Sequence, residues 1–282
     1  MPNSTVSTVE NAQPRRARRP VSLLAFHHAG GSTTAFAGWQ GRLRPQVEVV
    51  PVRLPGRGPD GRSPRYDGME SLTEALAHDL APLLDRPHLM YGHSMGALIA
   101  YRLARLRAER GQRAPDRLMV GAFAAPHHAA RRRRLDDPEL ARQLMRGTAA
   151  SLPRLDHGGQ LTAMSTRLRE DLRLCGTDPL DWTAAPVLDC PIEVFMGTDD
   201  PLVPVADARD WTRHSTAGAT LHMIPGGHFF PRESKGHFFR KLHTVTAHPL
   251  GSVDDHSSAA AQPMTATGPF QASRSTVRAA PR

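Results

Sequence analysis

Six short runs rich in apolar and β-branched residues recur along this chain, at 21–26, 47–54, 88–91, 117–123, 192–197 and 220–224. Each is bounded by Gly, Pro or polar residues, as buried strands are. Helical patterns at 71–84, 95–109 and 206–215 separate them. Ser71 is the expected N-cap of the first of these, with Glu74 at the spacing of a capping box. Strands that alternate with helices predict an α/β fold: a mostly parallel central sheet with helices on both faces. No internal repeat competes with that pattern.

One segment breaks the alternation. From His127 to Pro186 the chain reads as helix-rich and strand-free, with Pro138 suited to a first helical position. We expect a helical lid insertion at about 127–186, covering one end of the sheet; a crossover with extra helices is the alternative. Residues 1–20, rich in Arg, Pro, Ser and Thr, and residues 248–282, poor in large apolar side chains, are expected to be disordered tails. A single domain then spans 21–247.

Composition narrows the class further. The 39% apolar content suffices for a core, and no apolar run approaches the ~20 residues that span a bilayer. The basic stretch before Val21 is followed by too short an apolar run for a signal peptide. The expectation is a cytoplasmic protein with no membrane association. Cys175 and Cys190 are too few for a disulfide framework and are expected to be unpaired. Part of the net charge of +9 sits in the Arg-rich tails; the basic remainder suits an acidic partner. Arg131–Arg134 read as a solvated edge, and with no aromatic-interleaved basic stripe a nucleic-acid partner is not expected.

The chemistry-bearing motif is Gly92-His93-Ser94-Met95-Gly96, a G-x-S-x-G between an apolar strand and a helix. That setting is a nucleophile elbow, in which side chains at either glycine would collide with neighbouring chain. The bland reading makes Ser94 a helix N-cap. A serine hydroxyl needs a base to take its proton and a carboxylate to orient that base. Asp200, followed by Pro-Leu-Val-Pro after the strand ending at Gly197, is preferred as the acid over Asp199. His228, presented by Gly226-Gly227 after the last strand, is preferred as the base over His222 and His237. Met95, directly after the serine, and Ala29, in the small-residue loop after the first strand, are the expected oxyanion-hole N–H donors. Metal chemistry is not expected: the pairs His27-His28 and His127-His128 are adjacent in sequence, and neither H-E-x-x-H nor Cys-x-x-Cys occurs.

Taken together, "LLAFHHAGGSTTAFAGW", "VEVVPVRLPGRG", "YGHSMGALIAYRLA", "GAFAAPH", "GTDDP" and "PGGHFF" stand in the order found in type II thioesterases, which the chain resembles over about residues 21–245. These are editing enzymes of polyketide and nonribosomal-peptide assembly lines, with the α/β-hydrolase fold. The resemblance implies hydrolysis of acyl groups from the phosphopantetheine thiol of acyl or peptidyl carrier proteins, by a monomer without a cofactor of its own. It also implies that the 127–186 segment shapes the acyl pocket. Alternatives are an acyltransferase or carboxylester hydrolase of the same fold, or a non-catalytic scaffold that binds carriers. One departure is visible: His27 stands where the family usually has proline, and loss of that fixed φ is expected to loosen the oxyanion loop.

Overall fold

The structure, a computed structural model, describes residues 20–55, 66–128, 142, 144, 146, 159–177, 188–247 and 262–263. Strands β1 (Val21–Phe26), β2 (Val47–Pro51), β3 (His88–His93), β4 (Arg117–Gly121), β5 (Ile192–Gly197) and β6 (Ala219–Ile224) lie in the order β2-β1-β3-β4-β5-β6 and are all parallel. A two-residue strand β7 (Gln262–Pro263) pairs antiparallel with Thr220 and Leu221 at the β6 edge. These two residues fall in the tail expected to be disordered; Pro263, which has no N–H to donate, suits an edge strand. The rest of residues 248–282, and residues 1–19, lie outside the described residues.

Every residue of β3 and β5 is buried, because apolar side chains leave both faces of the sheet. On one face Leu24, Phe26, Met90, Leu118, Val120, Val194 and Met196 meet two helices, α2 (Met69–Asp79) and α4 (Met95–Glu109). On the other, Leu23, Ala25, Leu89, Tyr91, Met119 and Phe195 meet α1 (Trp39–Leu43) and the C-terminal helix, which contributes Phe238, Phe239 and Leu242. Trp39 packs at ring-centroid distances of 5.1, 5.3 and 5.2 Å against Tyr91, Phe238 and Phe239.

The 71–84 pattern is two helices rather than one. α2 begins at Met69, and a short α3 (Ala81–Leu84) follows a break at Leu80, with Pro82 in its first turn. Ser71 lies inside α2 and donates back to the Gly68 carbonyl, while Thr177 Oγ1 accepts from Met69 N–H and caps the helix from afar. Glu74 pairs with Arg110, the residue that caps the end of α4, and not with its own helix start. The 206–215 pattern likewise resolves into α6 (Val205–Arg209) and a 3-10 turn, Asp210–His214.

Between β4 and β5 no strand occurs among the described residues, and helix α5 (Gly159–Gly176) lies over α4. Its Leu168 and Leu172 join the core cluster that α4 dominates. That cover explains why α4 is buried nearly all round rather than along one stripe. The helical pattern around Pro138 lies outside the described residues apart from Arg142, Leu144 and Arg146. A short helix α7 (Phe230–Glu233) and α8 (Lys235–Ala247) close the domain.

Candidate active site

The C-terminal ends of β3, β5 and β6 and the loop after β1 form one rim of the sheet. At the end of β3 the chain turns directly into α4, and Ser94 takes φ 54° and ψ −119°. A positive φ at a side chain other than glycine costs about 1–3 kcal/mol and persists only where neighbours enforce it. Here Ser94 N–H donates to Gly121 O at 2.7 Å, and Ser94 O accepts from Ala97 N–H at 2.8 Å. Glycine is required on both sides: a Cβ on Gly92 would stand 2.1 Å from Gly96 O, and one on Gly96 would stand 2.1 Å from Phe26 O. Ser94 occupies the N-cap position of α4, yet its hydroxyl makes no capping bond and its backbone is not in the extended cap conformation. The N-cap reading therefore fails.

Asp200 and His228 come together from the loops after β5 and β6. His228 Nδ1–H donates to Asp200 Oδ2 at 2.9 Å, and the Asp200 side chain is fully buried. Asp200 Oδ1 accepts from Leu202 and Val203 N–H, so the carboxylate is fixed by its own turn. Asp199 is exposed, and its carboxylate accepts from the hydroxyl of its neighbour Thr198 at 2.9 Å. His222 is held elsewhere, at 2.6 Å from Glu193; His237 lies in α8. With Nδ1 as donor, the neutral His228 ring keeps a lone pair on Nε2. That atom is buried without a hydrogen-bond partner among the described residues, so it makes no bond to Ser94 in this state. Catalytic hydrogen bonds commonly tighten only when substrate arrives.

His93, the residue before the serine, ties the end of β3 to the His228 loop. Its Nε2 lies 2.9 Å from His228 O, and a carbonyl can only accept, so His93 carries its proton there. Tyr91 Oη then donates to His93 Nδ1 at 3.1 Å. Burial holds His93 well below the usual imidazole range, and the nearby His228 adds to the effect, so the ring is neutral. The approach of the His228 loop also depends on Gly197, where a Cβ would stand 2.2 Å from Gly227 O. Nothing in the sequence marked His93, which is merely a variable position of G-x-S-x-G.

Ala29 is buried in the same core cluster as Met95, the first residue of α4, where helix N–H groups have no internal partner. His27 Nδ1–H donates to His28 O at 2.9 Å, so a hydrogen bond steadies the loop where proline would have fixed φ. His28 donates to Ala29 O at 3.0 Å, and burial lowers its pKa to about 4. The strongest brace comes from α5: Gly30 N–H donates to the buried Asp171 Oδ2 at 2.7 Å across 141 residues. Leu168 packs on the same glycine, which has φ 73°. A cavity of about 320 Å³ is lined by Phe36, Trp39, Tyr91, His93 and Phe229 together with Arg42 and Arg232.

His127 and His128 are neighbours in sequence as well as in space. They lie in a turn, not in a strand or helix, and their rings are 4.5 Å apart and both close to Asp210.

A parallel sheet with a strained serine at a strand–helix elbow, and an Asp–His pair on the following loops, defines the α/β-hydrolase class. The sequence model of the Thioesterase domain matches residues 21–246, and the chain belongs to that family. Linear gramicidin dehydrogenase LgrE of Brevibacillus parabrevis is 33% identical over 76% of this chain and 83% of its own length. Thioesterase PikA5 of Streptomyces venezuelae is 30% identical over 74% of this chain and 75% of its own length. Among solved structures, the RedJ thioesterase of the prodiginine pathway in Streptomyces coelicolor superposes with a TM-score of 0.69 at 33% identity, covering 83% of this chain and 96% of RedJ. The chain has one Gly-x-Gly-x-x-Gly spacing, Gly56 to Gly61, which lies outside the described residues; Pro59 within it has no N–H to offer a pyrophosphate. Among the described residues no helix is long and apolar enough to cross a membrane.

Proposed function

We propose that this chain hydrolyses acyl groups from the phosphopantetheine thiol of acyl or peptidyl carrier proteins, clearing stalled or aberrant intermediates of polyketide or nonribosomal-peptide assembly. The thioesterase family supplies the reaction class, and the named pathways of RedJ and LgrE support the setting. The single observation that carries the mechanism is the Asp200–His228 pair, with a buried, unpartnered Nε2 at the rim that presents Ser94.

Ser94 Oγ attacks the thioester carbonyl while His228 Nε2 takes its proton. Negative charge on the carbonyl oxygen is met by the N–H groups of Met95 and Ala29. Collapse expels the pantetheine sulfur, which receives the proton from His228, and leaves an ester on Ser94. Water enters, gives a proton to His228 and attacks the ester; the acid departs and Ser94 recovers its proton. Asp200 holds the imidazole in the tautomer that accepts at Nε2 and stabilises its charged form. No cofactor is required by these steps, and a monomer contains every residue they use.

The test is a panel of acyl groups loaded on one carrier protein, with release rates measured for the wild type and Ser94→Ala, alongside a matched oxygen ester. Carrier thioesters turn over well above the oxygen ester, and Ser94→Ala abolishes both. Preference for the oxygen ester, or transfer to an added nucleophile in place of water, would support the esterase or acyltransferase reading.

A further inference from the structure

Where the chain leaves β4 towards the 127–186 segment, two imidazoles and a carboxylate meet. We propose that His127, His128 and Asp210 bind a first-row divalent transition ion, Zn²⁺ foremost, at a site that uses none of the proposed hydrolytic residues. His128 Nε2 and His127 Nε2 stand 2.8 and 3.4 Å from Asp210 Oδ2. The three donor atoms all lie within 4.8 Å of one another. Donors bound at ~2.0–2.1 Å around Zn²⁺ are separated by roughly 2.9–3.4 Å, so little movement is needed to close the shell. Two nitrogens and one oxygen suit zinc and its neighbours rather than Mg²⁺ or Ca²⁺, and three protein ligands leave positions for water.

The polar accounting around the cluster points the same way. His127 Nε2 is buried and makes no hydrogen bond, although it faces Asp210. Its other nitrogen, Nδ1, is 2.9 Å from His214 Nε2, and His214 Nδ1 is 2.7 Å from Tyr101 Oη. If His127 donates from Nδ1, His214 donates in turn to Tyr101, and His127 Nε2 is left with a lone pair aimed at the cluster. A ligating histidine that passes its other N–H to a fixed acceptor is the usual support for a bound metal. Arg213 is near enough to act electrostatically on these rings and opposes a cation; the Asp210 carboxylate offsets it.

Such an ion would join the turn ahead of the 127–186 segment to the 3-10 turn after α6, fastening the root of that segment to the β5 side of the domain. The experiment is calorimetric titration of the full chain with ZnCl₂ in a non-chelating buffer, with thermal melting followed in parallel. Fifteen histidines make adventitious binding a real competitor, so Asp210→Asn, His128→Gln and the exposed control His78→Gln are titrated too. One saturable equivalent, weakened at least tenfold by Asp210→Asn and by His128→Gln but kept by His78→Gln, with a zinc-dependent rise in Tm that those two variants lose, bears the proposal out. No saturable equivalent in the wild type, or an equivalent that Asp210→Asn or His128→Gln leaves unchanged, overturns it. His128 is only partly buried, so its variant retains a folded reference if Asp210→Asn does not.

Discussion

Ser94 is strained, Asp200 is buried and paired, and His228 has one nitrogen committed and one open. Those states make the three side chains unequal to their neighbours. Ser94→Ala is expected to cut hydrolysis by at least about a thousandfold while leaving the melting curve intact, because only the nucleophile is lost. Asp200→Asn should cost roughly 10⁴ in kcat, since an amide turns the imidazole to the wrong tautomer. Asp199→Asn, changing an exposed side chain bonded to Thr198, should stay near wild type; the reverse ranking would reassign the acid. These residues were legible because each sits in a short local motif: glycines about the serine, Asp-Pro after a strand end, Gly-Gly before the histidine. Asp171 was not legible, since nothing in the local sequence of α5 tells that its carboxylate meets a loop 141 residues away.

Elements were readable where periodicity decided them and misread where a distant partner did. The six strand runs and α4 appear at their expected places, whereas α2 starts earlier because Thr177 caps it and Pro82 follows a break. The turn holding His127 and His128 defeats reasoning from strand and helix spacing, since neither period applies. The contact between α5 and the loop proposed to carry an oxyanion donor is expected to have a kinetic consequence. Asp171→Asn weakens the bond that Gly30 N–H donates and is expected to lower kcat about tenfold with little change in KM, because the proposed loop donor matters most once charge has developed. Steady-state kinetics on one carrier thioester checks this; a change confined to KM would mean that Asp171 shapes binding alone. At the β5 end, Gly197→Ala forces the Gly227 carbonyl away, so a loss of about 1–3 kcal/mol in stability should accompany a loss of activity. Unchanged turnover in that variant would show that His228 does not depend on this close approach.

Across the whole molecule, buried neutral imidazoles make stability depend on pH. His28 has a pKa of about 4 in the folded chain against 6.5 when exposed, and His93 is also well below its usual range. The unfolded chain therefore binds more protons throughout the window between about 4 and 6.5. Stability is full above that window and is lost as pH falls through it. Melting temperature should drop between about pH 7 and pH 5, before most carboxylates titrate, and a flat profile would contradict the burial of these rings. The parallel, two-faced sheet followed from six apolar runs alone, but their lateral order did not, because adjacency is set by crossovers that leave no local signature. The central claim is that acyl groups pass through an ester on one serine. Intact-mass and peptide mass spectrometry after rapid mixing with an acyl-carrier thioester tests it directly. The acyl mass should appear on the peptide containing Ser94 and vanish in Ser94→Ala. Steady turnover with no acylated protein under any trapping condition, or acylation of another residue, would contradict it.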